Sequence, residues 1–411
     1  MSHCENLQAV LSPTPLEQFS SAFWERSSLV VRRDAPDYFS SLFSSAELDG
    51  LINSSFTNNN IHLIQGTQFA AAWPRRPRKT TLSEFYKEFS DGKSLALREM
   101  HVRWKPITRL VSAIARQSGF VITADLIAAP PRSCNAGTFN DSRSFFVLQL
   151  EGASTWRLPP GRFKPLSPEA PRTSAGPEGG GESLSLKAGD TLYLPFSNLP
   201  GGASSSDALP MVETQDSHSL HLVFTVQRVT YADLLGRAVA GASVKDIELR
   251  RAMGFGGPLR PSGKAKSEPR FRELAAKTFE KPDWEGALQA LKREHRKRLP
   301  FLPDGHFELL RHVESVDATT VVKRRPGIEV QAHLFEGQTE LIFPGYYYHG
   351  PEKLLLALDF ISTTQQFAVK DIPGWYTDPE RVRLVKHLIS MGILTFATPP
   401  AAKAEVRPES A

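Results

Sequence analysis

The chain has 411 residues, 40% hydrophobic and 23% charged, with a formal net charge of +5; it is long enough for two or three domains and apolar enough to bury real cores. No apolar run approaches the eighteen residues of a membrane span, and the N-terminus lacks the basic-then-apolar plan of a secretory signal, so an intracellular protein without membrane contact is expected. Cys4 and Cys134 are the two cysteines, which excludes a disulfide framework and a structural zinc site.

Residues 14–52 read as helical, with Pro15 and Pro36 as punctuation and "SSAEL" as a helix start with a serine cap. From 119 to 230 the texture changes to short strands divided by Gly, Pro and Ser: "GFVITADLIA", "SFFVLQLEG", "STWRLP", "SLSLKAGDTLYLP" and "SLHLVFTVQRV". Strands at this spacing predict a sandwich or barrel. The breaker-rich segments 159–183 and 197–217 are expected as long loops on one rim. After "VTYADLLGRAV" the pattern is helical to about 298, and 301–396 is a small mixed module ending in a helix, Gly392 and a short apolar strand. The tail 397–411 is expected to be disordered.

These pieces, in order, resemble the ribosomal oxygenases of the JmjC (cupin) class, iron- and 2-oxoglutarate-dependent protein hydroxylases. The resemblance is carried by "FSSAFWERSSLVVRRDAP", "FFVLQLEGASTWRL", "LKAGDTLYLP", "HSLHLVFTVQRVTYADLL" and "AVKDIPGW" with "RVRLVKHLISMGILT". It implies a mainly β fold with helices: a double-stranded β-helix barrel with N-terminal helices (1–230), a helical dimerisation domain (231–300) and a winged helix (301–396), assembled as a homodimer.

The family's chemistry needs two imidazoles and a carboxylate on one face of an iron, with positions left open for oxygen and the keto acid. An HxD pair suits this because residues i and i+2 of a strand point the same way. Aligned on "FVLQLEG", the HxD positions fall on Phe139, Asn140 and Asp141; aligned on "GDTLYLP", the distal histidine falls on Pro200. Phenylalanine and proline carry no side-chain donor, so Asp141 alone remains. The lysine that the resemblance places two residues beyond "LEG" is Ser154, and the upstream "NxYxTP" reads "DLIAAP", with Asp125 for the amide and Ile127 for the tyrosine. Asp125 is expected to repel a dicarboxylate. Loss of all these positions but Asp141 predicts a degenerate active site and no bound cofactor. The alternative is a working hydroxylase using Fe(II) and 2-oxoglutarate through non-standard ligands, with Asp141, His218 and His221 as the rebuilt metal set. Against it, the i, i+3 spacing points the two histidines to opposite faces of their strand.

Three basic runs, 75–79, 292–298 and 322–326, read either as solvated surface or as RNA-contacting patches and import signals. "PGYYYHG" (344–350) reads either as rings that stack bases or, the favoured reading, as a packed strand end with one ring exposed. Cys134 and "GFGGP" (254–258) read as loop residues without catalytic or phosphate-binding roles. The expectation is a ribosomal-oxygenase-like dimeric binding protein, acting on ribosomal or ribonucleoprotein partners, in the nucleus or nucleolus of a eukaryote and otherwise the cytoplasm.

Overall fold

The computed structural model describes residues 4–55, 61–64, 81–136, 143–158, 182–195, 211–253, 261–301, 304–335 and 337–398. The chain divides into two compact units, Met1–Arg228 and Val229–Ala411. No helix among the described residues is long and apolar enough to cross a membrane.

The first unit contains strands β1 (Leu29–Val31), β2 (Ile61–Ile64), β3 (Ser94–Leu97), β4 (Val121–Ala129), β5 (Cys134–Ala136), β6 (Ser144–Leu158), β7 (Glu182–Lys187), β8 (Thr191–Leu194), β9 (Met211–Glu213) and β10 (Ser219–Gln227). They pair antiparallel in the order β1-β8-β6-β10-β4-β3-β2, with β7 and β9 on the far half of β6 and β5 on β9. One long strand thus serves two facing sheets. The bend lies at Gly152, whose φ of +67° is in the left-handed region, beside a register shift between Leu220 and His221 on β10.

β10 lies between β6 and β4, and every residue of it but Gln227 is buried. Burial on both faces is why "SLHLVFTV" reads almost continuously apolar rather than alternating. Across the sheet, Leu192, Val147, Val223 and Asp125 are directly opposed, and so are Ala96, Ile127, His221 and Gln149. Opposed residues share a face, so these two rows point into the space between the sheets. Trp156, Leu158, Leu186 and Val212 close that space from the second sheet.

The outer face is covered from the N-terminus and by one helix. Phe19 packs on Tyr193 and Phe146 with ring centroids 4.8 and 5.7 Å apart. Helix Lys105–Ser118 buries Ile107, Leu110, Val111 and Ile114, one stripe at helical spacing, and ends at Gly119 with φ +74°. The turn in "AGDTLYLP" is fixed by buried Asp190, whose carboxylate accepts from the backbone N–H of Lys187 (3.0 Å) and of Arg33 (2.8 Å). The helical expectation for 14–52 holds only in part. "LVV" becomes the edge strand β1 on β8, because β-branched side chains gain a ladder and a sheet face there. Ser44 does cap the turn that follows, in a capping box with Glu47.

In the second unit, helices Tyr231–Lys245 and Trp284–Arg298 pack together and Arg237 pairs with Glu294. Beyond them lie β11 (Val321–Arg324), β12 (Gln331–Phe335), β13 (Gln338–Phe343), β14 (Tyr346–Pro351), β15 (Gln366–Ala368) and β16 (Leu394–Phe396), in two three-stranded antiparallel sheets, β15-β11-β16 and β12-β13-β14. Val322, Leu341, Phe343, Leu358, Ile361, Val385, Leu388 and Ile393 form their shared core with helices Leu355–Thr363 and Asp378–Ser390. The basic run 322–326 is part of this architecture. Arg325 is buried and donates to the carbonyls of Gly392 (3.0 Å) and Asp304 (2.6 Å), and Arg324 donates to Ser362 O (2.8 Å).

Candidate functional site

The inward side chains on either side of the Gly152 bend build a closed polar cluster inside the first unit. Gln149 precedes the bend; Ser154 and Trp156 follow it on the second sheet; Ser219 and His221 come from β10. All five are buried. The Ser154 hydroxyl donates to Gln149 Oε1 (2.7 Å) and accepts from Trp156 Nε1 (3.0 Å). Gln149 Nε2 donates to Ser219 Oγ (2.9 Å) and to the carbonyl of Glu151 (2.8 Å), which fixes the orientation of the amide. Ser219 Oγ lies 3.1 Å from His221 Nδ1, placed to donate its proton there, and the imidazole stands edge-on to Trp156 at 5.7 Å. Burial pushes His221 down to about 4, so the ring is neutral at physiological pH.

Asp125 shares the inner face with Ile127, two residues on. It is half-buried and accepts from the backbone N–H of Glu99 (2.9 Å). Desolvation raises its pKa, while the Glu99 N–H and the positive charge of Arg98 and Arg143 pull it back. Ile127 is buried in the apolar part of the interior, opposite His221.

His218 is mostly exposed and lies 3.5 Å from Glu151, whereas His221 is enclosed. The structure therefore does not bring the two histidines together. Phe139, Asp141 and Pro200 lie outside the described residues, as do the basic run 75–79, the rim segments 159–181 and 196–210, "GFGGP" and the tail from 399. Among the described residues no group of three or more His, Cys, Asp or Glu is arranged to hold a metal ion. Cys134 is on β5, not in a loop, with its sulfur 3.7 Å from Glu213 Oε1; burial and that carboxylate raise its pKa and keep it a thiol. Sequence reasoning missed the partners of Ser154. The one available signal was Gln149, a polar residue at an inward position of an otherwise apolar strand.

Residues 99–234 match the model of a JmjC domain family. Ribosomal oxygenase 1 of Gallus gallus is 29% identical over 258 residues, covering 59% of this chain and 41% of the relative; ribosomal oxygenase 2 of Rattus norvegicus is 25% identical over 260 residues, covering 60% and 53%. The chain therefore carries a JmjC domain and is similar to ribosomal oxygenases over about three-fifths of its length. It spans about two-fifths to one-half of the length of these relatives. Among solved structures, that of YcfD from E. coli superposes on 93% of this JmjC chain and 98% of its own with a TM-score of 0.50 at 15% identity, a likeness of fold.

The expectation of no cofactor is corrected by these relatives. A structure titled as YcfD, a ribosomal oxygenase from E. coli, is a complex of that protein with cobalt and 2-oxoglutarate (14% identity, TM-score 0.47, covering 93% and 98%). The described residues meet a keto acid only in part. At the position of the resemblance's lysine, Ser154 offers a hydroxyl already engaged with Gln149 and Trp156, and no charge.

Proposed function

We propose that this ribosomal-oxygenase-like JmjC protein works as a dimeric binding protein for ribosomal or ribonucleoprotein partners, with hydroxylation not its main task. The observation that carries the reading is Ser154, buried and bonded within the chain where the family resemblance places a cation for the keto acid's distal carboxylate. A charge-assisted hydrogen bond contributes about 1.5–3 kcal/mol, so its loss weakens co-substrate binding about ten- to a hundred-fold. A metal and a weakly held keto acid in the barrel are compatible with this role. In the test, the purified chain is supplied with iron(II), 2-oxoglutarate, oxygen and ribosomal proteins. Succinate at the level of the blank is expected, together with retention of a ribosomal component on the immobilised protein. Turnover at enzymatic rates would replace this reading with that of a protein hydroxylase using altered ligands, whose first residues to examine are Asp141, His218 and His221.

Residues 231–300 are proposed as the dimerisation segment and 301–396 as a winged helix. Apolar side chains on the first of these are left exposed, among them Tyr231, Leu235, Val244, Ile247, Phe271 and Trp284. So many large apolar groups along one segment call for a covering surface, and a second copy supplies it. Light scattering at micromolar concentration is expected to give twice the chain mass of 45.5 kDa, and Leu235→Asp with Ile247→Asp is expected to give the monomer. A wild-type monomer would remove the proposal. If the source is eukaryotic, the nucleus or nucleolus is the proposed compartment.

A further inference from the structure

We infer that the surface made by β14 and the last turn of helix Trp284–Arg298 binds single-stranded RNA. The expectation for "PGYYYHG" was one exposed ring, yet two project. Tyr348 packs into the core, while Tyr346 and Tyr347 are 60% and 37% exposed. Successive residues of a strand point to opposite faces. Here the two rings are instead parallel within 13°, with centroids 5.4 Å apart, so they form one flat offset stack at the end of the hairpin. Lys297 sits on this stack, its Nζ 3.7 Å from the centre of the Tyr347 ring. The arrangement is anchored by the backbone, because Gly345 N–H donates to Lys297 O (3.0 Å) and ties the hairpin turn to the helix end.

Two carboxylates among the described residues act on Lys297: Glu294, exposed on the same helix and paired with Arg237, and Glu340, which is hidden. Glu340 is fully buried and central to its row, with His333 directly opposite on β12 and His349 on β14. It takes Arg293 at 2.5 Å and the two imidazoles at 3.2 and 3.4 Å. Glu340 thus holds Arg293 in place without presenting negative charge to solvent. Lys292 and Arg298 are exposed on the same helix.

An exposed flat aromatic pair beside cations has the chemistry for an unpaired base and its phosphates: the ring accepts a stacked base of any sequence, and the cations follow the backbone. An acidic peptide would use the cations and leave the stacked rings without a role. The choice of RNA over DNA rests on the ribonucleoprotein setting proposed above; the stack and the charge do not.

The test is fluorescence anisotropy of a labelled, unstructured twelve-nucleotide RNA with the full-length chain at 50 and 200 mM salt. Saturable binding that weakens with salt is expected. Tyr346→Ala removes a largely exposed ring and is expected to weaken binding at least five-fold with an unchanged melting temperature. Lys297→Gln is expected to lower the slope of log affinity against log salt by about 0.7. Absence of binding at 50 mM salt, or wild-type affinity in both variants, would overturn the inference. Equal affinity for a DNA of the same sequence would overturn the assignment to RNA. Succinate production reads the barrel alone, so a failure here and a failure of the barrel reading are separate results.

Discussion

Replacing Gly152 by alanine is expected to abolish the stable fold of the first unit. The residue has φ +67°, and a Cβ built there would lie 1.9 Å from the carbonyl oxygen of His218. A left-handed conformation costs a non-glycine residue about 1–2 kcal/mol. The clash is with backbone and no rotamer relieves it, so β10 must separate from β6 beside the bend that brings Ser154 and Trp156 inward. The combined cost is about 4 kcal/mol or more, at the extreme of single substitutions and a large part of a domain's stability. The measurement is urea unfolding beside a control, Gly50→Ala, in a helix where an added Cβ meets nothing within 4 Å. The control should unfold at the wild-type midpoint or slightly above it, because alanine favours the helix by about 0.5–1 kcal/mol. A Gly152→Ala protein with a midpoint close to wild type would mean that the sheet can open at this point without loss.

The second large effect is a loss of stability in acid centred on His221. Its folded pKa of about 4 lies below the ordinary 6.5, so the folded state resists the proton that the unfolded chain accepts. The contribution is therefore complete above pH 6.5 and is lost as the pH falls from 6.5 towards 4. The full difference amounts to about 3 kcal/mol, with about 2 kcal/mol gone by pH 5. His101 is also buried with a lowered pKa, so the wild-type profile alone does not isolate His221. His221→Asn keeps an acceptor for the Ser219 hydroxyl and cannot titrate in this range. Unfolding free energies at pH 7 and pH 5 should fall less in this variant than in the wild type, by about 2 kcal/mol. Equal falls in the two proteins would show that the imidazole takes its proton without cost.

The sequence by itself determined the elements whose reasons are local. "SFFVLQLEG" and "SLHLVFTV" are strands because β-branched and aromatic side chains favour that conformation. "AGDTLYLP" turns because Gly189 and Asp190 suit the turn: Gly189 has φ +91° and Asp190 accepts two backbone N–H groups. The JmjC relationship was legible for a related reason, since such strands and turns recur in order along the chain. Only the tertiary structure decided what each inward residue meets. Gln149 and Ser219 are seventy positions apart and Ser154 is bonded across a glycine bend, so no periodicity in the sequence shows that these neutral groups satisfy one another. "VKRRP" and "YYY" make the same point in opposite directions. A charged run placed Arg325 inside, where buried carbonyls need donors, and an aromatic run placed Tyr346 and Tyr347 outside, beside a turn that Gly345 N–H ties to a helix end. Composition sets how much apolar and charged surface a chain has; which of it faces water depends on neighbours brought together from distant parts of the sequence.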